Sequence, residues 1–427
     1  MHERKIISER TLPLYLTEDL FVYPMNTGFI VENSNGQFFV NSVNLLKSIA
    51  GRSVNDICNN DKDLEEIEEY YRYGLIGYTE KSISKIVVPK IDQKYFDLYD
   101  TSKTTWFCHI PLKIEVDITK KCNFHCKHCS RDASSVVSEG KMSLQNYVDL
   151  IRQAGELGVP EISFMGGEPT CNPSFIELAT FAKMSGIHTL AMSTNGWLIN
   201  ENMAKKIAIL FDSVQISIHG ANSETHDTIV GRPGAFAQAC HAIKLLRKYN
   251  VSTLNISCTV MNDNAQQMDA MIELARELQV PSIRFLVLFS KGRGCLLNQW
   301  KMEEKNEMAN KLRRLKDSNS NTLKVDGGGF PPYCAISKNA TIYGCPAGRS
   351  LMYVSADGDA QACGNLDQTI GNIRDKKIID LWHSDTMIAL RKKPLCDCSY
   401  TDICSGGCLG KEYWSKMFNI SNTPIMK

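Results

Sequence analysis

No stretch of this chain stays apolar for the roughly 18 residues that a helix needs to cross a bilayer, and its first ten residues, MHERKIISER, are charged rather than apolar. The first absence argues against a membrane span and the second against a secretory signal, so the expected location is the cytoplasm. An excess of one charge is also missing. With 48 Lys and Arg against 47 Asp and Glu, the formal net charge is +1, and no bulk field favours nucleic acid or an anionic membrane. At 43% hydrophobic and 22% charged residues the composition is that of an ordinary globular protein, and 427 residues suffice for two or three domains.

Cysteine, by contrast, is abundant, with 16 residues. A reducing compartment disfavours structural disulfides and points to metal ligation or catalysis. Three cysteines, Cys122, Cys126 and Cys129, crowd into the run Cys-Asn-Phe-His-Cys-Lys-His-Cys, and seven fall between Cys334 and Cys408. Cys58, Cys108, Cys171, Cys240, Cys258 and Cys295 are scattered and are expected to be small buried hydrophobes. The C-x3-C-x2-C spacing can ligate three irons of a [4Fe–4S] cluster. Because the next cysteine is Cys171, one iron would be left open to a small molecule. A zinc knuckle or plain buried thiols are the alternatives at this point.

From residue 112 a regular alternation sets in. Strand-like runs at 112–119, 161–165, 189–193, 213–219, 254–260 and 283–289 are separated by amphipathic, helix-length segments near 143–157, 174–186, 200–210, 234–249 and 264–279. This predicts βα units and a parallel sheet. Six units fit a partial (βα)6 barrel of the TIM type, with ligands at the C-terminal strand ends. The cysteine run follows the first such strand. The second ends in Gly166-Gly167-Glu168-Pro169, the third in Ser193-Thr194-Asn195-Gly196, and the fourth runs through Ser217 to His219-Gly220.

These motifs, in this order, resemble the signature of the radical S-adenosylmethionine (SAM) enzymes. The resemblance implies that the open iron chelates the amino and carboxylate groups of SAM, and that one electron cleaves SAM to a 5′-deoxyadenosyl radical. It implies that Gly166, Gly167, Glu168 and Pro169 meet the SAM amine, that Ser193 and Asn195 supply polar contacts, and that Ser217 contacts the ribose or carboxylate. His128 would border the adenine. Many relatives carry an Arg where this chain has Val230; Arg232 is the nearest substitute for binding the SAM carboxylate, and its alternative is a solvated loop position.

The C-terminal cysteines are similar to the SPASM extension of the same enzymes, which binds auxiliary iron–sulfur clusters. The resemblance makes Cys334, Cys345, Cys363, Cys396, Cys398, Cys404 and Cys408 metal ligands. Cys396 and Cys398 are separated by one residue where the family pattern has two, and no cysteine follows Cys408. Two [4Fe–4S] clusters need eight thiolates, so either one auxiliary iron lacks a thiolate from this chain or only one auxiliary cluster forms. A zinc ribbon is the alternative.

Residues 1–82 read as a separate module. Phe29-Ile30-Val31 and Phe38-Phe39-Val40 flank a turn-forming Asn33-Ser34-Asn35-Gly36, which predicts a hairpin. Two helical patterns follow, one through Val43, Leu45, Leu46 and Ile49 ending at Gly51, the other through Leu64, Ile67, Tyr70 and Tyr71 ending at Gly74. The pattern suggests a winged-helix-like domain. Residues 1–80 hold 7 Lys/Arg against 13 Asp/Glu, the wrong sign for phosphate. The block instead resembles the peptide-recognition domain of maturases of ribosomally synthesised peptides, in which a leader peptide adds a strand to a sheet edge; a structural cap is the alternative. The expected organisation is thus recognition domain 1–82, linker 83–111, radical SAM core 112–325 and auxiliary-cluster domain 326–427.

The expected function is maturation of a precursor peptide, with an external electron donor such as flavodoxin or ferredoxin. Formation of a Cys sulfur-to-carbon thioether is favoured. Carbon–carbon crosslinking, epimerisation, residue oxidation as in sulfatase maturation, and a non-catalytic Fe–S scaffold are the alternatives.

Overall fold

The computed structural model of the chain describes, within the first 110 residues, 15–16, 20–25, 28–33, 36–40, 43, 46–47, 49, 54–73, 75–77, 86–99, 104 and 106–110. Beyond them it describes 111–298, 300–329 and 345–392. The chain divides into two compact units, Met1–Ile110 and Pro111–Lys427.

The first unit holds strands β1 (Tyr15–Leu16), β2 (Leu20–Met25), β3 (Gly28–Asn33) and β4 (Gly36–Val40), helices α1 (Val54–Ile57) and α2 (Asp61–Arg72), and strands β5 (Ile76–Gly77) and β6 (Ile86–Val87). The expected hairpin is β3–β4, antiparallel with Asn33 opposite Gly36. The sheet order is β4-β3-β2-β6, and β1 pairs separately with β5. Strand β2 was not expected, because Pro24 interrupts its apolar run. The Pro24 carbonyl accepts from His109 N at 3.0 Å. Its missing N–H therefore falls on that same side, and the β3 ladder is intact. Val22, Val31 and Val40 from the sheet meet Val43, Leu46, Ile49, Ile67 and Tyr70 in one core. The Asn60 side chain caps α2 by accepting from Asp63 N at 3.0 Å. The expected linker is partly woven into this unit: β6 runs parallel to β2, and Cys108 bridges to Met25. Leu45, Gly51 and Gly74 lie outside the described residues.

The second unit alternates strand and helix. Its elements are β7 (Lys113–Asp117), α3 (Leu144–Leu157), β8 (Glu161–Met165), α4 (Phe175–Met184), β9 (Thr189–Thr194), α5 (Glu201–Leu210) and β10 (Ser213–Ser217). Then come α6 (Ser223–Val230), α7 (Ala235–Lys248), β11 (Thr253–Val260), α8 (Met268–Glu277), β12 (Ser282–Val287), α9 (Met302–Asn319) and β13 (Lys324–Gly328). After the undescribed 330–344 follow β14 (Leu351–Val354), β15 (Asp359–Gln361), β16 (Thr369–Asn372), α10 (Ile378–Trp382) and α11 (Asp385–Leu390).

All six expected strands are present, and the sheet runs further at both edges. Its order is β13-β12-β11-β10-β9-β8-β7-β14-β15-β16. From β13 to β14 every pairing is parallel; β15 and β16 are antiparallel. Strand β13 spans the expected domain border at 325/326, and β14, from the expected auxiliary-cluster stretch, pairs directly with β7. Lys-Val-Asp-Gly-Gly has one apolar side chain and ends like a turn, which hid β13 from the pattern. Along β7 the burial alternates, with Ile114 and Val116 packed into the main core. That core lies between the sheet and its helices, so Lys113, Glu115 and Asp117 face the opposite side of the sheet.

Candidate active site

The cysteine loop leaves the C-terminal end of β7 and is held from four directions. The end of β8 comes first: Gly167 N donates to Thr119 O at 2.9 Å and Glu168 N to Lys121 O at 2.8 Å. A Cβ on Gly166 would stand 2.3 Å from Thr119 O, and one on Gly167 2.1 Å from Lys121 O. The two glycines were expected to admit a ligand; here they admit the cysteine loop itself. Second is the end of α6, where Val230 O accepts from His125 N at 3.2 Å and Ile229 O from Lys127 N at 2.9 Å.

The third hold comes from the turn after β12 and was not seen in the sequence. Arg293 donates from Nε to Cys126 O at 2.8 Å and from Nη2 to Ala133 O at 2.9 Å, and pairs through Nη1 with Asp132 at 2.7 Å. Its neighbour Gly292 has φ +54, and a Cβ there would be 2.4 Å from Cys129 O. Gly-Arg-Gly at 292–294 is the only sequence signal for this clamp.

The fourth hold is the end of β9. Asn195 Nδ2 donates to Asn123 Oδ1 at 2.8 Å and lies 3.9 Å from Cys122 Sγ. Asn195 N donates to Glu168 Oε2 at 2.8 Å. Glu168 is 1% exposed, and its Oε1 accepts from Thr170 N at 3.1 Å and from the Thr170 and Thr194 hydroxyls at 2.6 Å each. Burial pushes its carboxyl up, against the pull of the Asn195 and Thr170 donors. The carboxylate expected to meet an amine thus binds two strand ends together. Pro169 opens the short turn that Glu168 caps, Ser193 Oγ accepts from Gln215 Nε2 at 3.0 Å, and Ser217 ends β10 beside Ser257.

Arg232 is tied to the loop rather than solvated. Its Nη1 donates to Asn123 O at 3.3 Å and its guanidinium lies 4.2 Å over the Trp197 ring. One of its five N–H groups is used in that bond, which leaves the fork able to meet a ligand. His128 packs edge-on against His219, with ring centroids 4.2 Å apart, and His219 N donates to His226 Nδ1 at 2.9 Å. Burial holds His128 and His226 at about 4 rather than 6.5, and His219 well below 6.5.

The donor set fits an iron–sulfur cluster with a bound small molecule. Burial pushes the Cys122 thiol up to about 12 and the Cys126 thiol up as well, so neither ionises without a metal to carry the charge. Asn123 Nδ2 and His128 Nδ1, both in the loop, are buried without a partner, which leaves donor positions for the acceptors of a cluster or its ligand. Among the described residues no three Cys, His, Asp or Glu converge on a single point, as a mononuclear zinc site requires.

Of the seven C-terminal cysteines, Cys345 and Cys363 are described and both are half-buried; Cys334, Cys396, Cys398, Cys404 and Cys408 lie outside the described residues. Burial is the main cause that pushes the Cys363 thiol up to about 12, and Cys345 is close enough to add to it. Among the scattered cysteines Cys108 and Cys258 are buried as expected, whereas Cys295 is exposed, because it rides on the outside of the Gly292–Leu296 turn.

The profile of the Radical SAM superfamily matches residues 116–275, and that of the iron–sulfur cluster-binding domain SPASM matches residues 345–408. An AdoMet-dependent heme synthase of Methanosarcina barkeri is 27% identical over 71% of this chain and 92% of its own length. The mycofactocin maturase MftC of Mycolicibacterium smegmatis is 28% identical over 71% of this chain and 80% of its own. In fold, the chain is similar to Streptococcus suis SuiB bound to its precursor peptide SuiA, with a TM-score of 0.70 at 15% identity over 94% of this chain and 97% of SuiB. The cysteine loop at the mouth of a mostly parallel sheet, the two matching profiles and the matching relatives agree: the chain is a radical SAM enzyme with a SPASM domain, using SAM, a [4Fe–4S] cluster and auxiliary iron–sulfur clusters.

Proposed function

We propose that this enzyme matures a ribosomally synthesised precursor peptide. Sequence likeness does not separate this from the heme synthases, since both kinds of relative align over 71% of the chain. The observation that carries the peptide reading is the first unit. The similarity to SuiB, a structure with a precursor peptide bound, extends over 94% of the chain, which cannot be reached without most of Met1–Ile110. That unit offers β4 at the edge of its sheet, where an extended leader would pair as a further strand.

In this reading Cys122, Cys126 and Cys129 hold the SAM cluster. Arg232, Ser217, Asn195, His128 and the backbone of Gly166–Pro169 surround SAM, with Ser193 setting the lumen side of β9 through Gln215. Once loaded, the site supplies a 5′-deoxyadenosyl radical that removes a hydrogen atom from a substrate carbon. The chain fixes the loop from four sides and excludes water with the buried histidines and Trp197, so that the reactive centre is positioned before substrate arrives. Cys345 and Cys363, with Cys334, Cys396, Cys398, Cys404 and Cys408, hold the auxiliary clusters. The favoured product is a bond from a peptide Cys sulfur to carbon: the thiol would give up a proton, the carbon a hydrogen atom to the 5′-deoxyadenosyl radical, and the remaining electron would pass to an auxiliary cluster; the electron donor is of the flavodoxin or ferredoxin class.

The test is anaerobic incubation of the reconstituted enzyme with SAM, dithionite and each peptide encoded by short reading frames beside the gene. A peptide that loses one hydrogen from sulfur and one from carbon, with 5′-deoxyadenosine released, is the expected result. Modification of an iron porphyrin and of no peptide would overturn the reading.

A further inference from the structure

Arg131 follows the third cysteine of the SAM loop by two positions, yet its side chain reaches the loop of Cys363. Its Nε pairs with Asp117 Oδ2 at 2.9 Å at the end of β7. Its Nη1 donates to Gly364 O at 2.9 Å, one residue beyond Cys363. Its guanidinium lies 4.6 Å over the Tyr353 ring on β14, and the Tyr353 hydroxyl donates to the same Asp117 oxygen. The approach is close: a Cβ on Gly364 would stand 2.3 Å from Arg131 Nη2, so a larger residue there would displace the guanidinium. Lys291, beside the Gly292 turn that clamps the loop, donates to the same Gly364 carbonyl at 2.8 Å. The Arg131 side chain is 18% exposed and that of Asp117 7%.

We propose that Arg131 is a positioning residue that fixes the Cys363 ligand loop against the SAM-cluster loop and tunes the auxiliary cluster held there. The connection is short: Cys129, Ser130 and Arg131 along the chain, one hydrogen bond, then Gly364 and Cys363. Two cations, Arg131 and Lys291, end on one carbonyl next to a ligand thiolate, and charge and hydrogen bonds near the sulfurs set a cluster's potential. Asp117 neutralises and orients Arg131 and is itself held by Tyr353. The arrangement makes the auxiliary cluster's environment depend on a residue of the SAM-cluster loop. It rests on the assignment of Cys363 as an auxiliary-cluster ligand.

The experiment is a redox titration of the full-length, reconstituted enzyme followed by electron paramagnetic resonance, with the SAM cluster identified by its response to added SAM. In Arg131→Gln a cation is lost and Asp117 is left uncompensated; both disfavour adding an electron, so the auxiliary potential falls and its signal broadens while the SAM-responsive signal stays. Arg131→Lys retains the charge without the fork, and should restore much of the potential but not the line shape. The double variant Asp117→Asn/Arg131→Gln removes both buried charges, folds if the unpaired Asp117 was the obstacle, and should return the potential toward that of the parent. An auxiliary potential and spectrum unchanged in Arg131→Gln, or, should that variant not fold, a line shape unchanged in Arg131→Lys, would overturn the proposal. Cys363→Ala separates the two claims: an auxiliary signal that survives it shows that the ligand assignment, rather than the role of Arg131, has failed.

Discussion

The Thr194 hydroxyl donates to Glu168 Oε1 at 2.6 Å, joining the mouths of two adjacent strands. With Thr170 and Asn195 it leaves the Glu168 carboxylate enclosed by protein donors. Glu168→Gln places an amide where an acceptor stood and should cost about 1–3 kcal/mol of stability, read as a lower denaturation midpoint. SAM affinity should change little beyond what that loss explains. A variant of unchanged stability with sharply weakened SAM binding would return Glu168 to the role of amine acceptor.

Arg293 makes a second testable hold. Arg293→Ala removes its donors to Cys126 O and Ala133 O and takes the ion pair from Asp132, which sits at φ +51. The loss of these charge-assisted bonds, roughly 2–4 kcal/mol in total, should fall on the loop alone. Iron analysis should show the SAM-responsive cluster depleted and the auxiliary iron retained. Full occupancy of the SAM cluster would make Arg293 a bystander.

The sequence made much of this region legible. Cys122, Cys126 and Cys129 declared themselves by spacing, and Glu168 and Asn195 by their place at strand ends. All six strands that build the mouth showed as apolar runs, because burial on one face leaves a repeating imprint. Arg293 and Arg131 did not show. Their roles arise from contacts over 160 residues or more, Arg293 to Ala133 and Arg131 to Gly364, with nothing periodic to mark them. Strands β2 and β13 were hidden by Pro24 and by Gly327-Gly328, residues that locally read as turns. The extension of the sheet by β14 is a pairing between distant segments, which no local pattern encodes.

His226 gives the fold an acid limit. Burial, opposed by Asp227, holds its imidazole at about 4, against 6.5 for the ordinary group. As pH falls below 6.5 the unfolded chain takes the proton first, so stability present above that value is lost progressively down to about 4. His226→Asn retains an acceptor for His219 N and removes the titration. Denaturant midpoints of the apoprotein across this window should fall less steeply in the variant; parallel curves would contradict this assignment.

Leader capture by the first unit predicts a local footprint. Adding the precursor should slow amide hydrogen exchange along Gly36–Val40, the edge strand β4 among the described strands, because strand addition pairs the N–H groups on its side away from β3. A Pro-interrupted leader should lose that protection. Protection confined to residues beyond 110 would make the first unit a cap rather than a receptor.

The central claim is that the loop of Cys122, Cys126 and Cys129 drives SAM cleavage. The most direct measurement is 5′-deoxyadenosine and methionine release by the Cys122→Ala/Cys126→Ala/Cys129→Ala variant, reduced with dithionite under anaerobic conditions, beside its iron content. The account predicts that SAM cleavage is abolished, about one [4Fe–4S] cluster of iron is lost, and the auxiliary clusters remain. SAM cleavage at the parent rate by the triple variant would contradict it.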